Sequence, residues 1–286
     1  MEGFNGKSKR HCGFRLNRLT KSLVRIFLWP MKKLNCETVE TTYASLRQIY
    51  NIEEQDINKF LEIDLDAYYN CSLKSYISPN DLILELLEQK LGKEGEYNRT
   101  YWFHITRQPK SNKFPEGILP LGQSINSIWE FLYSLIQNEV SRSKWDEFRK
   151  GVENDNGNEW ADMYRLKVRD INLHGPYGVL VREIAFKPSE VDYYNYFESP
   201  EIIRDISNCF NDEYGIDLLH IFRNNTQPCI VKIFKDAGKR GYIGCALYYL
   251  YCKFHNQTLS SFCFADFDGG GRLVSEKQIE EVTFYK

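Results

Sequence analysis

Residues 101–107 read Tyr-Trp-Phe-His-Ile-Thr-Arg, and this run predicts a short β-strand. Aromatic and β-branched residues favour strands, and Gln108-Pro109 ends the run. Because side chains alternate along a strand, His104 and Thr106 are expected to share one face. Arg107 follows one step later, so the end of the strand carries an imidazole, a hydroxyl and a guanidinium.

The segment after this strand carries a second feature. A polar loop at residues 110–113 leads to Gly117-Ile118-Leu119-Pro120-Leu121, where the glycine can end a short helix. An aromatic-His-x-Thr strand followed by a loop and a Gly-Ile-Leu turn resembles the opening of the ADP-ribosyltransferase fold. Poly-ADP-ribose polymerases, RNA 2'-phosphotransferases and DNA-modifying ADP-ribosyltransferase toxins open in this way. The alternative is an ordinary half-buried strand whose histidine and threonine are satisfied polar groups.

The resemblance implies NAD as a substrate and gives four residues roles in binding it. His104 would contact the adenosine ribose, Thr106 would help position NAD, and Arg107 would face the pyrophosphate. Tyr177 lies in the turn His174-Gly175-Pro176-Tyr177-Gly178, whose glycines allow a ligand to approach closely. In ADP-ribosyltransferases a tyrosine stacks on the nicotinamide, and the resemblance implies this role for Tyr177.

A catalytic glutamate is also implied, because ADP-ribosyltransferases keep one on or beside a late strand. In one branch of the family this glutamate stands in a Gln-x-Glu motif, which Gln278-Ile279-Glu280 matches. Glu276 lies equally near, and Glu183 is a charged residue in an apolar run, so both are alternatives to Glu280 as the catalytic carboxylate. Asp266 and Asp268 have two interpretations, as the Mg²⁺ site of a nuclease or as ordinary turn residues.

Composition bounds the class of protein. The 286 residues carry a formal net charge of −2, so no global electrostatic attraction to nucleic acid is expected. Eight cysteines occur without a CxxC pair, which indicates small apolar side chains in a reducing, cytoplasmic setting. No metal-ligand spacing occurs, and no transmembrane segment is expected.

Residues 7–33 form a separate feature, with nine Lys or Arg and no Asp or Glu. Apolar residues recur there at near-helical spacing, so the segment predicts a basic amphipathic helix. Three interpretations stay open: a helix packed on the domain, a contact with nucleic acid, and a helix that binds a membrane surface or a partner. An acidic protein is one candidate partner.

The chain is expected to have an α+β fold in two parts. Residues 1–93 form a helical N-terminal region that ends in a Gly92–Gly95 linker, and residues 96–286 form an ADP-ribosyltransferase-like domain. The sheet of this domain is expected to be mixed or antiparallel and split, with about six strands and flanking helices. Besides 101–107, strands are expected at 179–186, 218–222, 228–234, 261–267 and the end of 276–285.

Two functions from different classes follow. The first is a mono-ADP-ribosyltransferase that uses NAD to modify a protein or nucleic-acid acceptor, and the family resemblance connects this activity with a toxin or defence role. The second is a non-enzymatic interaction protein whose basic N-terminal helix binds an acidic partner. A metal-dependent nuclease built on Asp266 and Asp268 is a third hypothesis.

Overall fold

The computed structural model describes residues 31–71, 77–110, 112–154 and 157–286. The basic helix expected at residues 7–33 lies outside these ranges except for its last three residues. Residues 31–286 form one compact unit. The boundary expected between residues 93 and 96 therefore falls inside a compact unit and does not separate two of them.

A six-stranded sheet forms the centre of this unit. Its spatial order is β5-β3-β2-β4-β6, and the short β1 pairs with β2 in parallel. The pairings among the other five strands are antiparallel. The prediction of an α+β fold with a mixed or antiparallel sheet of about six strands is confirmed, and the ADP-ribosyltransferase-like form of that fold stays a prediction. The strands are β1 (Lys33–Leu34), β2 (Arg99–Gln108), β3 (Tyr177–Val179), β4 (Gln227–Lys235), β5 (Asp266–Asp268) and β6 (Ile279–Phe284).

Strand β2 is the most central element of the sheet, and it contains the run that opened the sequence. It pairs with β4 over nine residues, with His104 opposite Val231. Trp102 and Phe103 are buried on its two faces. The aromatic and β-branched residues of β2 fit this position because their side chains fill a pleated, buried surface.

Helices pack around the sheet, and capping residues begin or end several of them. Asn158 caps one of them with its side chain, and Gly92 and Gly215 end two others at φ of 64° and 67°. Within the described ranges, no helix has the length and apolar composition needed to cross a membrane. The α-helices are α1 (Val39–Tyr50), α2 (Glu54–Leu61), α3 (Leu65–Cys71), α4 (Pro79–Leu91), α5 (Leu121–Ile136), α6 (Arg142–Glu153), α7 (Glu159–Arg169), α8 (Glu201–Tyr214), α9 (Leu218–Asn225) and α10 (Arg240–Phe254).

The buried apolar side chains form two separate clusters. The larger cluster joins the sheet to α1, α2, α4 and α10. The second cluster lies among α5, α6, α7, α8 and α9, and Trp129 and Trp145 are buried at its centre. Trp129 also donates a hydrogen bond from Nε1 to the hydroxyl of Tyr164, at 2.9 Å. The helices α5–α9 therefore form a lobe with its own core.

Three of the expected strands differ from the structure. Residues 218–222 belong to helix α9, because Asp217 caps its first turn and Leu218 and Phe222 are buried one helical turn apart. The strand expected at 179–186 ends at Val179, and residues 182–186 form a 3-10 helix. The strand expected at 261–267 begins only at Asp266, after a second 3-10 helix at 261–263.

Gly117 stands in a turn that its φ of 80° and its surroundings restrict to glycine. An added Cβ would lie 2.2 Å from the carbonyl oxygen of Val274, whose residue pairs with Ile118 through two backbone hydrogen bonds. We expect Gly117→Ala to lower the free energy of unfolding by about 2–4 kcal/mol, since positive φ and a backbone clash add. Urea unfolding measures this. Gly92→Ala is the control, because Gly92 has positive φ but open space around it. An equal loss in both variants would show that the clash contributes nothing.

Candidate functional site

A cavity of about 950 Å³ opens at the end of β2. Side chains of both apolar clusters line it, since Ile118 and Phe264 come from the first side and Ile202 and Phe222 from the lobe. Its volume lies at the upper end of the range typical of small-molecule sites, about 300–1,000 Å³. Residues 104–109 form one wall, so the cavity follows β2 for about 13 Å between His104 and Gln108.

His104 presents a hydrogen-bond acceptor to the cavity. Its Nδ1 lies 2.6 Å from the backbone oxygen of Tyr177, and a carbonyl can only accept, so Nδ1 carries the proton. Burial lowers the pKa of His104, and the bond to Tyr177 opposes this only in part. The ring is therefore held neutral, with the Nε2 lone pair available to a ligand hydroxyl.

This lowered pKa makes His104 a source of acid sensitivity. A histidine whose pKa is lower in the folded protein than its ordinary value near 6.5 stabilises the fold above that pH. The stability is lost as pH falls from 6.5 toward the folded pKa. We expect His104→Gln to lose less stability than the wild type between pH 7.5 and 5.5, by at most about 1.4 kcal/mol per pH unit. Urea unfolding at both pH values measures the difference. An identical pH dependence in both proteins would contradict the assignment.

Thr106 presents an unsatisfied hydroxyl. The residue is only 5% exposed and lines the cavity. Its hydroxyl makes no hydrogen bond to any part of the chain that the structure describes. The hydroxyl oxygen is accessible from the cavity, so it can donate a hydrogen bond to a ligand there or accept one from it.

Arg107 reaches the cavity but is committed to the backbone. Its guanidinium donates to the carbonyl oxygens of Phe197 (2.6 Å), Arg223 (2.9 Å) and Thr226 (2.9 Å), and also to the Thr226 hydroxyl (3.2 Å). Four hydrogen bonds therefore fix its position. Among the described residues, no carboxylate forms an ion pair with Arg107. Its positive charge is therefore not neutralised at its end of the cavity.

Tyr177 completes the group of four residues that the sequence assigned to NAD binding. Its ring lines the cavity, and its hydroxyl donates to the backbone oxygen of Asn172 at 2.8 Å. The structure thus brings His104, Thr106, Arg107 and Tyr177 to one cavity. Their roles toward NAD stay predictions.

The structure does not bring Glu280 to this cavity. Glu280 pairs with Lys232 at 3.1 Å, and Lys232 lies opposite Phe103 across the β2–β4 ladder. Residues directly opposite in antiparallel strands share a face, and successive residues do not. Lys232 therefore lies on the face of the sheet opposite His104, and neither Lys232 nor Glu280 lines the cavity.

The two alternative glutamates are also elsewhere. Glu183 accepts hydrogen bonds from the Tyr249 hydroxyl at 3.0 Å and from Lys253 at 2.8 Å, which attaches it to α10. Glu276 is exposed in a short 3-10 helix near the end of the chain. Neither lines the cavity.

Two other carboxylates line the cavity, on Glu201 and Asp266. Glu201 begins α8 and is held from two sides, by the Tyr196 hydroxyl at 3.2 Å and by Lys167 at 3.4 Å. The carboxylate of Asp266 has no hydrogen bond or ion pair within the described ranges. Asp266 extends the row that runs from Phe103 through Val179, so it starts from the face of the sheet opposite His104 and reaches the cavity from β5, at the edge of the sheet.

Aromatic rings stand between these carboxylates. Tyr193 packs against Phe264 at 5.2 Å and against Tyr196 at 5.4 Å between ring centroids. Burial, and then the nearby charges of Asp266 and Glu201, raise the pKa of Tyr193. Its hydroxyl therefore stays protonated, and the cavity offers both aromatic surfaces and negative charge.

Sequence reasoning missed Glu201 because no motif marks it. The available signal is the aromatic-rich run at residues 193–197, which ends four residues before it. Asp268, weighed with Asp266 as a metal ligand, accepts instead from the backbone of Gly270 at 2.7 Å, as turn residues do. Among the described residues, no group of three His, Cys, Asp or Glu side chains could hold a metal ion.

Comparison with known proteins returned no match. No family model matches the chain, and no curated protein or solved structure does so either. The resemblance to ADP-ribosyltransferases therefore depends on the residues of β2, the turn after it and Tyr177.

Proposed function

We propose that the cavity binds NAD and that the protein is a mono-ADP-ribosyltransferase. The observation that carries this proposal is the convergence of His104, Thr106, Arg107 and Tyr177 on one cavity. The cavity also carries both signs of charge that NAD requires, positive on Arg107 for the anionic pyrophosphate and negative on Asp266 and Glu201 for the cationic nicotinamide ring.

The chemistry needs a carboxylate near the ribose of the nicotinamide half. The bond between C1' and nicotinamide breaks with its electron pair going to the nicotinamide nitrogen, and positive charge develops at C1'. Asp266 and Glu201 are the cavity carboxylates that stabilise this charge. One of them also takes the proton of the acceptor nucleophile as it bonds to C1'. These two residues replace Glu280 in this role.

A macromolecular acceptor, protein or nucleic acid, fits the surface around the opening. Five large apolar side chains are exposed there or beside it, where a monomer gains nothing from exposing them. The same surface suits a non-enzymatic interaction protein, which stays the second candidate function. The five residues are Met163, Leu166, Ile171, Leu173 and Leu273.

NAD binding and turnover test the proposal. NAD is expected to raise the thermal midpoint at concentrations well above Kd, and the wild type is expected to release nicotinamide. His104→Ala is expected to lose both effects. His220→Ala is the matched control, since His220 is an exposed histidine on α9 outside the cavity. A wild type that neither binds NAD nor releases nicotinamide would refute the proposal and leave the interaction protein.

A further inference from the structure

Lys167 joins two carboxylates of α8 and lines the cavity. Its Nζ lies 2.7 Å from Oδ2 of Asp205 and 3.4 Å from Oε2 of Glu201. Glu201 and Asp205 are four residues apart, so they occupy one face of the helix. The lysine comes from α7 and thus fixes the start of α8 against its neighbour.

Asp205 anchors Lys167. The side chain of Asp205 is fully buried, with 0% exposure, and a buried carboxylate requires a cation. Burial raises the pKa of Asp205, and the hydrogen bond from Lys167 opposes this. The next cation, Arg204, is more distant, at 3.8 Å from the other oxygen. If Lys167 left, the buried Asp205 carboxylate would keep only the more distant Arg204 as a counter-charge.

The charges of this trio leave Glu201 available for the reaction. Lys167 is one cation between two carboxylates, and the second cation, Arg204, lies beside Asp205, so Glu201 only shares the charge of Lys167. The shorter contact goes to Asp205, which lies away from the cavity, and the longer one to Glu201, which lines it. The Tyr196 hydroxyl holds the other oxygen of Glu201 at 3.2 Å.

We infer that Lys167, anchored by Asp205, is a positioning residue that fixes the carboxylate of Glu201 for the reaction at C1'. The inference rests on the proposed function. It assigns Lys167 no contact with NAD phosphates, because both of its carboxylate partners already engage it. Its effect is on the rate of the chemical step and not on NAD affinity.

A double substitution tests this inference without leaving an unpaired buried charge. Lys167→Met with Asp205→Leu replaces the buried pair by apolar side chains of similar size, a change that folded proteins often tolerate. We expect the Kd for NAD to stay within about twofold and the kcat for nicotinamide release to fall about 10- to 100-fold, the scale of a displacement of about 1 Å. Lys167→Arg keeps the cation, so this single variant is expected to retain most of the wild-type kcat for nicotinamide release. Arg142→Met, which breaks an exposed ion pair with Glu130 elsewhere in the lobe, is the control.

The outcomes separate this inference from the proposed function. If the wild type releases nicotinamide and the double variant does so at the same rate, the positioning role is overturned and the proposed function stands. If the wild type releases none, both are overturned. Should the double variant fail to fold, Asp205→Asn replaces it, since it removes the charge that anchors Lys167 at constant side-chain shape. That variant is expected to lower kcat about tenfold with unchanged Kd, and an unchanged kcat would overturn the positioning role.

Discussion

Glu201→Gln and Asp266→Asn are each expected to lower the kcat for nicotinamide release by about 100-fold or more. Each substitution removes a negative charge that lines the cavity and keeps the shape of the side chain. Since positive charge develops at C1' only as the bond breaks, the loss should appear in kcat more than in Kd. Nicotinamide release under saturating NAD, with binding measured separately by thermal shift, distinguishes the two quantities.

Glu280→Gln is the matched control for these substitutions. It removes a carboxylate of the same kind outside the cavity, where Lys232 still keeps Glu37 as a partner at 2.8 Å. We expect its kcat to stay near the wild-type value. The reverse pattern, with Glu280→Gln inactive and both cavity variants active, would restore the assignment made from Gln278-Ile279-Glu280 and would contradict the site described here.

Arg107→Met is expected to lower the free energy of unfolding by about 3–5 kcal/mol. The guanidinium satisfies three backbone carbonyls, on Phe197, Arg223 and Thr226, and the substitution leaves them without that donor. A hydrogen bond to a charged group contributes more than a neutral one, so the loss should exceed that of a typical surface change. Chemical denaturation measures it.

Two further arginine variants show whether the loss of stability in Arg107→Met comes from its hydrogen bonds. Arg107→Lys keeps the charge but loses the planar fork, so most of the destabilisation should remain. Arg223→Met removes an arginine whose side-chain partner, Glu198, is exposed, and it is expected to change stability by about 1 kcal/mol or less. Equal effects of Arg107→Met and Arg223→Met would contradict the anchoring role. Because Phe197 leads to Tyr196 and Glu201, we expect Arg107→Met also to loosen that wall of the cavity.

The central strand could be predicted from sequence because its signals are local. Aromatic and β-branched residues define β2, and Gly117 marks the turn after it. Alternation along the strand also placed His104 and Thr106 together, as the cavity has them. Local patterns of this kind are independent of the rest of the chain.

The carboxylates could not be predicted because their position depends on contacts distant in sequence. Glu201 reaches the cavity through α8, which packs in the lobe, and Asp266 through its pairing with β3. Glu280 matched a spacing, but it stands at the irregularity of the β4–β6 ladder, where its side chain pairs with Lys232 outside the cavity. Residues 218–222 were predicted wrongly for the same reason. A short apolar run is compatible with a strand or a helix, and its tertiary contacts determine which one forms.

The separation of the interior into two clusters has a consequence for cooperativity. A ligand in the cavity would contact side chains of both the sheet side and the α5–α9 lobe, and would therefore link the two buried clusters. Without it, the buried side chains form two clusters within one compact unit, and one cluster can open before the other. With the cavity occupied, the two clusters should unfold in a single calorimetric transition. The width of that transition would then indicate whether a ligand is bound.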